Sequence, residues 1–125
     1  MEIKTEVING NIPSKSNSYR IIKLGKHASL TKTKKLKDYE NSFYLQCQEY
    51  KNKNIEGEFR FECDVYYDSK RPDLDGCFKA VLDCLQKVKA FRNDNKCVEI
   101  FARKFKDKEN PRIEFRIIPL ADWEY

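Results

Sequence analysis

A chain of 125 residues with 40% hydrophobic content, eight phenylalanines and seven tyrosines has the apolar material for one packed core, which excludes an intrinsically disordered chain. The formal charge of +5 fits a nucleic-acid partner without demanding one. No apolar run approaches the ~20 residues of a membrane-spanning helix, and the N-terminus lacks a signal-peptide core, so we expect a cytoplasmic protein with no membrane partner.

Residues 2–8, EIKTEVI, alternate weakly and predict a first strand. A turn-rich, hydroxyl-rich stretch, NGNIPSKSNS, leads into YRIIKLG, a second strand. From composition alone that stretch is an ordinary hairpin loop. The lysine-rich run KHASLTKTKKLK follows and predicts a solvated loop or helix start. Its His27 has no partner cluster and takes no role. From Thr33 to about Tyr50 the positions Leu36, Tyr39, Phe43, Tyr44, Cys47 and Tyr50 recur at helical spacing, so these aromatics belong to the core rather than to a base-stacking platform.

After a turn at KNKNIEG, the run GEFRFECDVYYD places Phe59, Phe61, Cys63 and Val65 on one side of a strand. A second helix follows Pro72, with Leu74, Phe78, Val81, Leu82, Leu85 and Val88 on a core-facing stripe. Two alternating strands, CVEIFARKFK and PRIEFRIIPL, close the chain and are expected to pair as a hairpin across DKEN. The fold class this predicts is α+β in two layers, an antiparallel or mixed sheet with helices on one face, as a single domain over 1–125. Cys47, Cys63, Cys77, Cys84 and Cys97 are odd in number and lack C-x-x-C spacing; they read as buried free thiols rather than a zinc site.

The chemistry concentrates between Arg71 and Asp94. Asp73 and Asp75 flank Leu74 at the start of the second helix, Lys79 lies one turn on, and Asp94 stands in the polar turn beyond the helix. The plain reading is Asp73 as N-cap with i,i+4 ion pairs on a solvated face. Only one acid can be the cap, however. Two carboxylates within about 4 Å repel by about 4 kcal/mol at an effective dielectric near 20. Three would cost on the order of 10 kcal/mol, comparable to the roughly 5–15 kcal/mol of a whole domain. If they converge, protonation or a divalent cation must neutralise them, and all-oxygen ligands select Mg²⁺ or Mn²⁺.

These residues carry a resemblance. The run Asp73-Leu74-Asp75-Gly76, then Lys79, then Asn93-Asp94-Asn95-Lys96-Cys97-Val98 resembles the RusA family of Holliday junction resolvases, with its D-L-D-N-like acid pair, following lysine and D-D-x-x-V-like turn. Gly76 stands where that family commonly has asparagine, and Asn93 where it often has aspartate. Pro13-Ser14-Lys15-Ser16-Asn17 is similar to the family's N-terminal P-S-x-N signature. The resemblance implies a Mg²⁺-dependent endodeoxyribonuclease, with Mn²⁺ as a possible substitute, acting as a homodimer on branched DNA, the four-way junction. Asp73, Asp75 and Asp94 would be metal ligands and catalytic together with Lys79. Lys15, Asn17, Arg20, Lys70 and Arg71 would contact the DNA backbone. Family habit adds a bacterial host, with phage or prophage origin.

A straight helix from Asp73 to about Ala90 is roughly 27 Å long, and the four residues on to Asp94 reach at most ~14 Å. Asp94 therefore cannot return to Asp73 and Asp75 in one chain. An antiparallel two-fold dimer would supply Asp94 from the partner. Two rivals are a non-catalytic junction-binding module, to which the Gly76 and Asn93 departures point, and a D-x-D glycosyltransferase, which needs a larger nucleotide-binding fold. An EF-hand fails because Gly76 directly follows the second acid.

Overall fold

The computed structural model describes residues 3–13, 19–25 and 27–120. Its elements in chain order are strands β1 (Glu6–Asn9), β2 (Tyr19–Leu24) and β3 (His27–Lys32), helix α1 (Lys34–Gln46), strand β4 (Phe59–Tyr67), helix α2 (Phe78–Lys87), and strands β5 (Cys97–Lys106) and β6 (Arg112–Pro119). Short 3₁₀ turns at Asp75–Cys77 and Asp94–Lys96 lead into α2 and β5 respectively. The class is α+β: a four-stranded mixed sheet in the order β1-β6-β4-β5, two helices, and a separate β2–β3 ribbon.

Strand β4 is the axis of the sheet. Every second residue, from Phe59 to Tyr67, is buried, while Arg60, Glu62, Asp64 and Tyr66 face outward. It pairs antiparallel with β6 and parallel with β5. The expected β5–β6 hairpin is therefore corrected: β4 lies between them. A strand buried at every other position needs its backbone paired on both edges, and β4 takes both final strands as neighbours. The connection at 107–111 passes the end of β4, where the Asp107 N–H donates to the Tyr67 carbonyl at 2.8 Å.

The helices cover one face of the sheet. Leu36, Tyr39 and Phe43 of α1 and Ala80, Val81, Cys84 and Leu85 of α2 are buried against the inner residues of β4 and β6. Phe115 sits at the centre, with ring centroids of Phe43, Tyr50 and Phe61 at 6.1, 5.7 and 5.8 Å. Glu40 of α1 accepts from Lys32 of β3 at 2.8 Å and from Lys87 of α2 at 2.7 Å.

Three further expectations are revised. The lysine-rich run begins as strand β3, pairing from Tyr19↔Lys32 to Leu24↔His27 beyond Gly25, whose φ of 63° makes the reversal. Helix α1 starts where Thr33 accepts from Leu36 N–H and ends at Gln46, one turn short of Tyr50. Since β1 pairs with β6 and β2 with β3, the stretch between β1 and β2 does not close a hairpin; its residues 14–18 lie outside the described residues.

Candidate active site

The acid pair is presented by a specific local arrangement. Beyond β4 the chain bends through 68–72. Lys104 Nζ of β5 holds this bend by donating to the carbonyls of Pro72 at 2.9 Å and Lys70 at 3.4 Å. Asp73 carbonyl then accepts from the Tyr67 hydroxyl at 3.4 Å and from Gly76 N–H at 3.3 Å. Between the two acids, Leu74 packs on the core, and Asp73 and Asp75 point out into solvent. The D-L-D run is thus one anchor flanked by two exposed carboxylates.

The capping expectation fails here. The N-terminal residues of both the 3₁₀ turn and α2 lack a side-chain capping bond, and α2 begins only at Phe78. Neither the Asp73 nor the Asp75 carboxylate forms a hydrogen bond or ion pair among the described residues. Gly76, in the same turn, has open space where a Cβ would stand, so its replacement of asparagine leaves the packing untouched.

Lys79 is exposed on the first turn of α2, its Nζ 3.3 Å from Asp83. Lys70 and Arg71 are exposed on the bend, and their side chains form no hydrogen bond or ion pair among the described residues. Arg20 lies on β2, opposite Thr31. Lys15 and Asn17 fall outside the described residues.

Asp94 is held elsewhere. Helix α2 stops at Val88, with Lys89 in the left-handed region (φ 62°) and Ala90 N–H bonded back to Leu85 carbonyl at 2.9 Å. Phe91 then stacks on Phe59 at 4.8 Å, and this fixes the exposed turn after it. Asn93 caps that turn by accepting from Asn95 N–H at 3.0 Å, a task asparagine performs as well as aspartate. The Asp94 N–H donates to Gln86 Oε1 at 3.3 Å, and its carboxylate is exposed without a partner among the described residues.

Asp73 and Asp75 follow the C-terminal end of β4, whereas Asp94 precedes the N-terminal end of β5, and these two strands run parallel. The acids lie at opposite ends of the sheet. From Asp75 to Gln86 the 3₁₀ turn and helix advance about 18 Å. No group of three metal-ligating side chains forms among the described residues. Sequence reasoning overestimated the helix, which has ten residues and is about 15 Å long, but the separation it inferred is present.

Asp73, Asp75 and Asp94 are all exposed. An apolar cavity of about 340 Å³, lined by residues including Ile3, Tyr50, Ile55 and Ile117, contains none of the acids. On the outer sheet face Arg103 pairs with Asp64, Arg116 with Glu62 and Arg112 with Glu114, leaving little net charge to attract an anion. Sequence reasoning missed Lys104. The signal was its position: on β5 it shares the helix-covered side with Ala102, where a lysine needs a reason.

The acid pair is exposed, with a lysine one turn away, on a mixed α+β sheet. The chain matches the family model for endodeoxyribonuclease RusA over residues 12–118, and it belongs to that family. Membership implies Holliday-junction nuclease activity with branched DNA as the partner. Among curated proteins no relative matches. None of the helices among the described residues is long and apolar enough to cross a membrane.

Proposed function

We propose that this chain is a Mg²⁺-dependent, structure-selective endodeoxyribonuclease that resolves Holliday junctions by paired nicking. Each site would combine Asp73 and Asp75 of one subunit with Asp94 of its partner in a homodimer. The observation that carries this reading is the acid pair itself, exposed, uncapped and unpaired, at the opposite end of the sheet from the third acid.

The donor set fits the cation: carboxylate oxygens only, two from one turn, which suits an ion that takes one or two carboxylates together with substrate phosphate and water. Mn²⁺ shares this preference. When bound, such an ion supplies an acidified water and stabilises charge on the departing 3′ oxygen. The protein's own part is positional. Leu74 and Lys104 hold the acid-bearing bend so that Asp73 and Asp75 would together hold the cation beside the scissile phosphate. Lys79, released from Asp83, meets a non-bridging oxygen as charge develops there. Lys15, Asn17, Arg20, Lys70 and Arg71 hold flanking phosphates, so affinity falls steeply with salt.

The test is cleavage of an end-labelled four-way junction beside its matched duplex, with Mg²⁺ or EDTA, using wild type, Asp75→Asn and Asp94→Asn. Paired symmetric nicks on the junction alone, lost with EDTA or either substitution, support the reading. Junction binding without cutting in Mg²⁺ or Mn²⁺ would make this a binding module. When the two inactive variants are mixed under subunit exchange, shared sites regain nicking in the mixed dimer; sites within one chain leave the mixture dead.

A further inference from the structure

Strands β2 and β3 form a ribbon that, among the described residues, pairs with no strand of the main sheet. A lone two-stranded hairpin is marginally stable in water, so its place on the molecule depends on what fastens its base. That base is Lys32, just before α1. Its ammonium donates to both Glu40 carboxylate oxygens, at 2.8 and 3.1 Å, and Glu40 also accepts from Lys87 Nζ at 2.7 Å. Glu40 thus joins β3, α1 and α2. Its side chain is only 12% exposed, so these contacts are less screened than an ordinary surface ion pair. The hydrogen bond to Glu40 raises the Lys32 ammonium above its ordinary 10.5, which keeps the tie charged at neutral pH.

We propose that Glu40 is a positioning residue for DNA binding, clamping the ribbon to the C-terminal turn of α2 so that a duplex arm meets both in one fixed geometry. The proposal rests on the nuclease reading above. Lys87 is the last residue of α2, and its neighbour Gln86 accepts from the Asp94 N–H at 3.3 Å. The clamp therefore ties the ribbon to the element that holds one of the candidate acids. Two basic positions ride on the ribbon: Arg20, one rung from the Tyr19↔Lys32 pair, and the exposed Lys23 near the tip.

Leverage makes the clamp matter. From Lys32 to His27 the strand rises about 17 Å. A swing of about 10° at the base moves the tip by about 3 Å, close to the ~3.4 Å that separates successive phosphates of one strand along the duplex axis. A ribbon free at its base slips by a phosphate relative to the Asp94 turn. A clamped one keeps its register.

The experiment uses the full chain and a fluorescent four-way DNA junction. Glu40→Gln makes the molecule one charge more positive, so electrostatics alone would tighten binding. The clamp predicts the opposite sign. Glu40→Gln should bind the junction about tenfold more weakly than wild type, as when the ribbon holds its bound orientation for about a tenth of the time. The loss should appear in Kd and not in the single-turnover rate at saturating junction. Lys32→Met removes the same tie from the other side, so adding Glu40→Gln to it should cost nothing further. In hydrogen exchange without DNA, Glu40→Gln should lose protection over 19–32 at labelling times where β4 stays protected in both proteins. Binding by Glu40→Gln as tight as wild type or tighter overturns the clamp and leaves the nuclease reading standing. So does a loss additive with Lys32→Met, or unchanged exchange over 19–32. A wild-type chain that binds no branched DNA sinks the nuclease reading and this role of Glu40 together, which tells the two failures apart.

Discussion

Replacing Lys79 separates a chemical role from a structural one. Lys79 Nζ lies 3.3 Å from Asp83, with side-chain exposures of 51% and 35%, and no other ion pair holds it among the described residues. An exposed i,i+4 pair of this kind is screened by solvent and is worth about 0.3–0.5 kcal/mol. With an unfolding entropy on the order of 0.26 kcal/mol/K for a chain this long, removing the pair shifts Tm by about 2 °C at most. Losing a preorganised cation at a developing negative charge costs about 2.7–4 kcal/mol, a fall of roughly 10²–10³ in rate. Lys79→Met should therefore melt with wild type yet cleave a saturating four-way junction some hundredfold slower in single-turnover assays. Lys79→Arg should recover part of the rate, because charge returns without the same reach. Asp83→Asn, which frees the ammonium, should not slow cleavage. Lys79→Met cutting within about threefold of wild type, or melting more than about 5 °C lower, would refute the assignment.

Three other outcomes follow from the packing and the charges. Phe115→Ala, which removes a fully buried ring contacting three others, should cost about 3–5 kcal/mol and lower Tm by more than 10 °C in circular-dichroism melts. Burial would raise the Glu40 carboxyl, but hydrogen bonds from Lys32 and Lys87 outweigh it and hold the group below its ordinary 4.5. Its contribution is therefore complete above that pH and is lost as pH falls through the lowered value. Glu40→Gln should be about 1–2 kcal/mol less stable at pH 7, with the gap closing in denaturant titrations at progressively lower pH. Burial pushes the Cys47, Cys63 and Cys84 thiols up to about 12 and Cys77 to about 11. At pH 8 iodoacetamide should label Cys97 alone, with all five thiols labelled after denaturation, as read by intact mass.

The elements with strong apolar period were legible in the sequence. The alternation from Phe59 to Tyr67 appears residue for residue in the burial of β4, and the stripe through Val81 and Leu85 is the buried face of α2. Strand β3 was missed because its polar side chains carry no period; its formation depends on the ribbon with β2, and the available signal was Gly25 between two runs able to pair. The β5–β6 pairing was misjudged because a short polar connection indicates a turn but not which strand waits between the two. The acid pair stood out from spacing alone. Its freedom from capping did not, since that depends on a 3₁₀ turn displacing the helix start to Phe78.

The position of β6 governs when the molecule can exist at all. Residues 112–119 form the last strand of the sheet in chain order, yet they fill the slot between β1 and β4. While the ribosome is still making them, at roughly 5–20 residues per second, β1 lacks its strand partner and the inner face of β4 lacks Ile113, Phe115 and Ile117. Folding must wait for synthesis to pass Pro119. A nascent or prematurely terminated chain that already contains Asp73, Asp75 and Asp94 is then an unfinished sheet open to proteolysis.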